Sequence, residues 1–276
     1  MAPASPLPMS SPTLAQQRAF FETFGFLKLP GLVKAEIETI IREFEAVFAQ
    51  LGQKHDGKKR TGIVPFVDQR AGLCALLDHP GILAAVGNLL GPDFNYVSSD
   101  GNYYTGDTDW HRDSLYQSNS YLKVAFYLDS IRRDTGCLRV IPGSHADRGI
   151  QQWNDDRVRA AATEWGVAQG ALPAHPVESD PGDVLIFNHR TLHASFGGGS
   201  FRRMFTMNLG RRAKTSVEID DLISYCDWHM YNHGFRQPYG NVMLETASAA
   251  RKVHLAQPLE CWAASVEHHR LRQGAH

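Results

Sequence analysis

From Phe94 onward the chain reads FNYVSSDGNYY (94–104), LKVAFYLD (122–129), CLRVIPG (137–143), DVLIFN (183–188) and RRMFTMNLG (202–210). These runs are short and rich in β-branched and aromatic residues, and turn signals such as DTG (134–136) and PGD (181–183) separate them. That alternation predicts antiparallel strands. The chain before Phe94 is patterned differently. KAEIETIIREFEAVFAQLG (34–52) spaces Ile37, Ile40, Ile41, Phe44, Val47 and Phe48 as one helical stripe ending at Gly52. AGLCALLDHPGILAAVGNLLG (71–91) predicts two short helices broken at His79-Pro80. Ser11-Pro12 predicts an N-cap and first turn, for a helix burying Leu14, Phe20, Phe21 and Phe24 and stopping at Gly25. GFLKLPGL (25–32) reads as a strand and turn, 53–70 as loop, DDRVRAAATEWG (155–166) as a helical insert, and the last third as helix and loop. Helices followed by many antiparallel strands predict one α+β domain over 13–276 with a β-sandwich or jelly-roll core, after a disordered Pro/Ser leader at 1–12.

Composition narrows the function classes. At 276 residues, 43% hydrophobic and 21% charged, the chain can bury a core without staples. A net charge of -1 and a pI near 6.9 give no general attraction to nucleic acid or acidic membranes. The basic runs KHDGKKR (54–60) and GRRAK (210–214) are short and read as solvated loops. Cys74, Cys137, Cys226 and Cys261 are widely spaced with no C-x-x-C pair, which suits a reduced protein. The N-terminus lacks the basic start and apolar segment of a signal peptide, and no apolar run approaches the roughly 20 residues of a membrane helix. A cytoplasmic protein acting on a small molecule, with neither nucleic-acid nor membrane partner, is expected; oligomeric state is not legible.

TDWHRDSLY (108–116) places His111 and Asp113 two residues apart, and an extended backbone turns such residues to the same side. Two imidazoles and one carboxylate suit divalent iron, with the opposite face left open for a co-substrate and dioxygen. His193, which follows the predicted strand DVLIF, can supply the third ligand. H-x-D alone is weak evidence: among 13 histidines and 29 acidic residues such pairs arise by chance, and HAD (145–147) is one. A surface-turn hydrogen bond is the competing reading of His111 and Asp113.

GDTDWHRDS, LKVAFYLDSIRRDTGCLRVIPGSH, PGDVLIFNHRTLHAS and FRRMFTMNLG, in that order, resemble the phytanoyl-CoA dioxygenase family of Fe(II)/2-oxoglutarate oxygenases. The opening LAQQRAFFETFGFLKLPGLV is similar to the family's first helix and strand, so the resemblance covers roughly residues 13–212. It implies a double-stranded β-helix (a cupin-like jelly-roll) with flanking N-terminal helices and Fe(II), 2-oxoglutarate and O2 as cofactor and co-substrates. The family's ligands fall on His111, Asp113 and His193. His189 competes for the distal position, but HAS (193–195) matches the family's histidine followed by a small residue and serine, leaving His189 as a packed or hydrogen-bonded residue.

The resemblance also implies an arginine about ten residues beyond the distal histidine to grip the far carboxylate of 2-oxoglutarate, a task that suits a planar, permanently charged guanidinium. Arg202 and Arg203 lie nine and ten residues past His193, and only one can face inward; the family's FR step lands on Arg202. Ser195 and Thr108 match supporting positions near the co-substrate. Asp113 occupies the place that related halogenases leave to a small residue, which implies hydroxylation or another oxygen-derived oxidation. Trp110, Tyr104 and YCDWHMY (225–231) are candidate walls of the substrate pocket, and His145 is read as hydrogen-bonded and no ligand. Desaturation, epimerisation or cyclisation on the same fold, a jelly-roll protein that binds without turnover, and a zinc hydrolase are the rivals. No H-E-x-x-H supports the last.

Overall fold

The structure, a computed structural model, describes residues 12–113, 118, 121–146, 155–234 and 236–274. Residues 1–11 of the leader, Ser11 among them, and Asp147 lie outside those residues. The strands are β1 (Phe26–Leu29), β2 (Thr61–Ile63), β3 (Asn95–Tyr104), β4 (Thr108–His111), β5 (Tyr121–Tyr127), β6 (Leu138–Val140), β7 (His175–Val177), β8 (Val184–Asn188), β9 (His193–Ser195) and β10 (Arg202–Gly210). They form a six-stranded sheet, β1-β8-β5-β10-β3-β2, and a four-stranded sheet, β4-β9-β6-β7. All the named pairings are antiparallel, and the chain crosses between sheets at β3–β4, β4–β5, β5–β6, β7–β8, β8–β9 and β9–β10. This is the cupin-like jelly-roll.

The larger sheet has apolar cover on both faces, and strand parity divides its side chains. Leu122, Val124 and Phe126 of β5, and Phe205, Met207 and Leu209 of β10, join the core under the N-terminal helices. Ala125, Tyr127 and Met204 point the other way, into the cluster between the sheets with Leu138 and Val140. The helical layer is α2 (Ile37–Gln50), α3 (Ala71–Cys74) and α4 (Pro80–Leu90). Ile40, Phe44, Val47 and Phe48 are its buried stripe, each contributing about 1.5–3 kcal/mol by burial. The predicted break at His79-Pro80 is present: His79 caps α4 and Pro80 opens it.

Three expectations change. Helix α1 (Leu14–Phe24) is capped by Thr13 in a capping box with Gln16, not by Ser11. It packs on α4 and β1, so only Phe21 is buried, while Leu14, Phe20 and Phe24 remain 48%, 41% and 39% exposed. Within 53–70 the edge strand β2 pairs with β3, and a 3-10 turn spans Val67–Gln69. A three-residue strand is too short to show a period.

The insert forms α5 (Asp155–Arg159) and α6 (Ala161–Trp165). The C-terminal third forms α7 (Ser216–His233), α8 (Asn241–Glu245) and α9 (Ala249–Gly274). Thr215 and Glu218 make a capping box for α7, and Gly234 ends it in the left-handed region. Helix α7 packs along α9, and Tyr225 of α7 stacks on Tyr121 at the start of β5. Among the described residues no single helix is long and apolar enough to cross a membrane.

Candidate metal centre and its cavity

Strand β4 ends on His111 and β9 begins on His193, and the register sets these two residues opposite one another. Their rings lie 4.2 Å apart between centroids. Asp113 follows β4, its backbone N–H donating to the His189 carbonyl at 2.9 Å. The His111 Nε2 lies 4.0 Å from Asp113 Oδ1, and His193 Nε2 lies 3.7 Å from Asp113 Oδ2. One ligand atom from each residue falls within 4.8 Å of the others, so one ion could be held by all three.

The surroundings prepare these atoms as ligands. The Nδ1 of His111 is 2.7 Å from the Asp109 carbonyl, and that of His193 is 2.9 Å from the Thr191 carbonyl. A carbonyl only accepts, so each Nδ1 carries the proton and each Nε2 keeps its lone pair. Asp113 Oδ1 accepts from Lys123 Nζ at 2.8 Å, whereas Oδ2 is buried with no partner among the described residues. Burial, the largest single influence, would raise the Asp113 pKa, but the Lys123 ammonium and the neighbouring imidazoles together outweigh it and hold the carboxyl well below its usual range. Burial, reinforced by His111, pushes His193 down to about 3, so its ring is neutral near pH 7. Lys123 keeps its proton because Asp113 and Asp100 overcome the desolvation of its ammonium. The donor set is therefore two imidazoles, each with its Nδ1–H on a backbone carbonyl, and one carboxylate, which fits Fe(II).

The triad opens into a cavity of about 630 Å³, ample for a small acid and a second molecule. Arg202 is buried at one end with Cζ 5.3 Å from the centroid of the Tyr104 ring. Its Nη2 reaches the Gly106 carbonyl at 3.4 Å, while Nε and Nη1 have no partner among the described residues. A buried guanidinium left this way is costly unless an anion meets it. Gly136 and Gly198 make room for it, since a Cβ at either would collide with Nη1. Ser195 and Thr108, opposite each other across β4 and β9, line the same cavity, and the Ser195 hydroxyl donates to the Gly136 carbonyl at 2.9 Å. Arg203, one residue on, faces outward and pairs with Asp129 at 2.6 Å and Glu45 at 2.9 Å.

The far end is bounded by Asp100, Thr206, Asn208, His189 and the α7 residues Tyr225, Trp228, His229 and His233. Tyr104 and three residues of YCDWHMY thus line the cavity; the Tyr231 side chain lies outside the described ones. Trp110 does not. It is buried with Ile141, Val158 and Leu192 and donates Nε1–H to the Gln169 carbonyl at 3.1 Å, because its parity on β4 is opposite to that of His111. His145 is buried, with Nε2 3.3 Å from the Glu22 carbonyl. Sequence reasoning missed Lys123 and Asn208. The available signal was parity: Lys123 is the one charged residue of β5, and Asn208 shares the inward face of β10 with Arg202, Met204 and Thr206.

The chain matches the sequence profile of the family described as "Phytanoyl-CoA dioxygenase (PhyH)" over residues 21–204. No curated protein matches it by sequence. Its fold is similar to that of the non-heme alpha-ketoglutarate-dependent carbocyclase SnoK from nogalamycin biosynthesis, with TM-score 0.58 and 22% identity over 73% of this chain and 87% of that one. The non-heme alpha-ketoglutarate-dependent epimerase SnoN superposes with TM-score 0.57 at 17% identity, covering 72% and 83%. HygX from Streptomyces hygroscopicus, solved with nickel and 2-oxoglutarate bound, gives 0.56 at 17%, covering 72% and 87%. With the profile matched across both sheets, the chain belongs to the phytanoyl-CoA dioxygenase family of Fe(II)- and 2-oxoglutarate-dependent enzymes.

Proposed function

We propose that the protein hydroxylates a small molecule, with conversion of 2-oxoglutarate to succinate and CO2. His111 and His193 through Nε2, and Asp113 through Oδ2, would hold the iron. Bound iron supplies the dioxygen activation and the oxidation; the chain supplies placement, charge and exclusion of water. Arg202 would receive the far carboxylate of 2-oxoglutarate, with Ser195 and Thr108 flanking it. Lys123 holds Asp113 Oδ1, which steers Oδ2 toward His193. Helix α7 closes the far side of the cavity.

The observation that carries this reading is the pairing, in one cavity, of the triad with an inward guanidinium whose Nε and Nη1 are unpartnered among the described residues. A protein that only bound metal would not need that cation. Asp113 itself favours oxygen transfer to the substrate, since it fills the coordination position that a halide would need. The similar folds include a carbocyclase and an epimerase, so a ring closure or epimerisation is the second reading. Four free cysteines suit a reducing, cytoplasmic setting, and a small-molecule substrate suits the cavity size. The test is a substrate panel under 18O2 with succinate readout. Hydroxylation predicts succinate together with a product gaining one 18O; succinate with an unlabelled product of changed connectivity or configuration would favour the second reading.

A further inference from the structure

The end of the cavity away from Arg202 carries polar atoms that neither the iron nor 2-oxoglutarate would satisfy. His189 is 1% exposed and lines the cavity, yet neither ring nitrogen makes a hydrogen bond among the described residues. Asn208, inward on β10, donates Nδ2–H to Ser98 Oγ at 3.1 Å, and its Oδ1 is likewise buried and unpartnered. A neutral imidazole in this position has one nitrogen that donates and one that accepts. Leaving such groups unmet is costly, and a ligand with a donor-acceptor oxygen would remove that cost.

The charges beside this pair are already engaged. Lys123 is on Asp113, and Asp100 accepts from Thr206 and Asn102 and lies 3.7 Å from Arg60. The adjoining wall is aromatic, with the Tyr225 ring 6.1 Å from that of His189 between centroids. Tyr225, Trp228, His229 and His233 follow one another at helical spacing along α7, with neighbouring rings 5.0 to 5.5 Å apart. Such a face packs flat rings and offers no fixed charge.

We infer that the substrate is an uncharged aromatic molecule bearing a hydroxyl, held by its ring against α7 and by its oxygen on His189 and Asn208. This deepens the proposed function and rests on it for the identity of the site. His189 would orient the substrate through hydrogen bonds and needs no proton transfer to do so. The polar pair fixes which part of the ring system faces the metal, and so which position is oxidised.

The experiment uses 2-naphthol, naphthalene and 2-naphthoate as probes, with binding to the full-length protein measured under nitrogen, both metal-free and loaded with Fe(II) and 2-oxoglutarate. Wild type should bind 2-naphthol at least about tenfold tighter than naphthalene, and tighter than 2-naphthoate. His189→Phe should bring naphthol and naphthalene within about twofold, Asn208→Leu should narrow the ratio, and His189→Gln should restore part of it. Should His189→Phe not fold, the Asn208→Leu ratio decides. An unchanged ratio in these variants, tighter binding of 2-naphthoate, or no naphthol binding by wild type overturns the inference. Loss of the iron–2-oxoglutarate absorption in the loaded wild-type sample would instead overturn the reading of the site, and the metal-free arm keeps the two failures apart.

Discussion

Two clusters in this protein contain the same residues, two histidines and one aspartate, and they are built for opposite ends. On α7 and α9, Asp227 is buried and takes His268 Nδ1 at 3.1 Å and His269 Nδ1 at 2.6 Å, one on each oxygen. The imidazoles spend themselves on the carboxylate, and the result is a clamp between helices. At β4 and β9 the imidazoles spend their N–H groups on the carbonyls of Asp109 and Thr191 instead. The Nε2 atoms then stand 3.7 and 4.0 Å from the Asp113 oxygens, with room between them for an ion. What separates a clamp from a metal site is the partner of the other ring nitrogen.

The sharpest way to break this comparison is to remove a ligand from each cluster. Alanine at His111, Asp113 or His193, or glycine at Asp113, should abolish 2-oxoglutarate turnover and cost more than the roughly 10- to 100-fold of an outer-shell change. Alanine at His268 and His269 together should leave iron affinity unchanged by titration calorimetry. The arginine pair comes next. Arg202→Ala should raise the apparent 2-oxoglutarate constant roughly 30- to several-thousand-fold, the equivalent of about 2–5 kcal/mol for one lost partner of a desolvated ion pair. Arg203→Ala, whose partners Asp129 and Glu45 are partly exposed, should leave that constant alone and cost about 1 kcal/mol of stability or less in denaturant titration. Lys123→Met should weaken iron binding by about 10- to 100-fold, because Asp113 Oδ1 loses the group that orients it.

Smaller effects report on the clamp and on buried histidines. His269→Ala removes a 2.6 Å partner of a buried carboxylate and should lower stability by about 1–3 kcal/mol without touching the metal. His193 and His189 have folded-state pKa values pushed down to about 3 and about 4, below the usual 6.5. The unfolded chain therefore binds more protons between those values and 6.5. Their contribution is fully present above pH 6.5 and is lost as pH falls, by up to about 1.4 kcal/mol per pH unit per histidine. Thermal melts of the metal-free protein from pH 7 to pH 4.5 should show that decline, less steep in His189→Phe; a flat profile would contradict the burial argument.

Much of the fold was legible because helices such as 37–50 carry their own period and strands such as DVLIF are short, β-branched apolar runs bounded by turn residues. Arg202 could be separated from Arg203 only through register, which depends on β3 and β5 pairing with β10. The misplaced residues have a common cause. Trp110, Phe20 and Phe24 were read from neighbours in sequence, whereas packing across β4 or at the α1 edge decides their surroundings. Lys123 and Asn208 were missed because a polar residue on a strand looks like a solvent-facing position until the second sheet is placed over it.

The central claim is that His193, not His189, completes a metal site that also binds 2-oxoglutarate. Anaerobic titration of iron and 2-oxoglutarate, followed through their charge-transfer band, tests it most directly. The band should appear at one equivalent in wild type and in His189→Ala, and be absent in His193→Ala. No band in wild type, or a band that survives in His193→Ala and vanishes in His189→Ala, would contradict it.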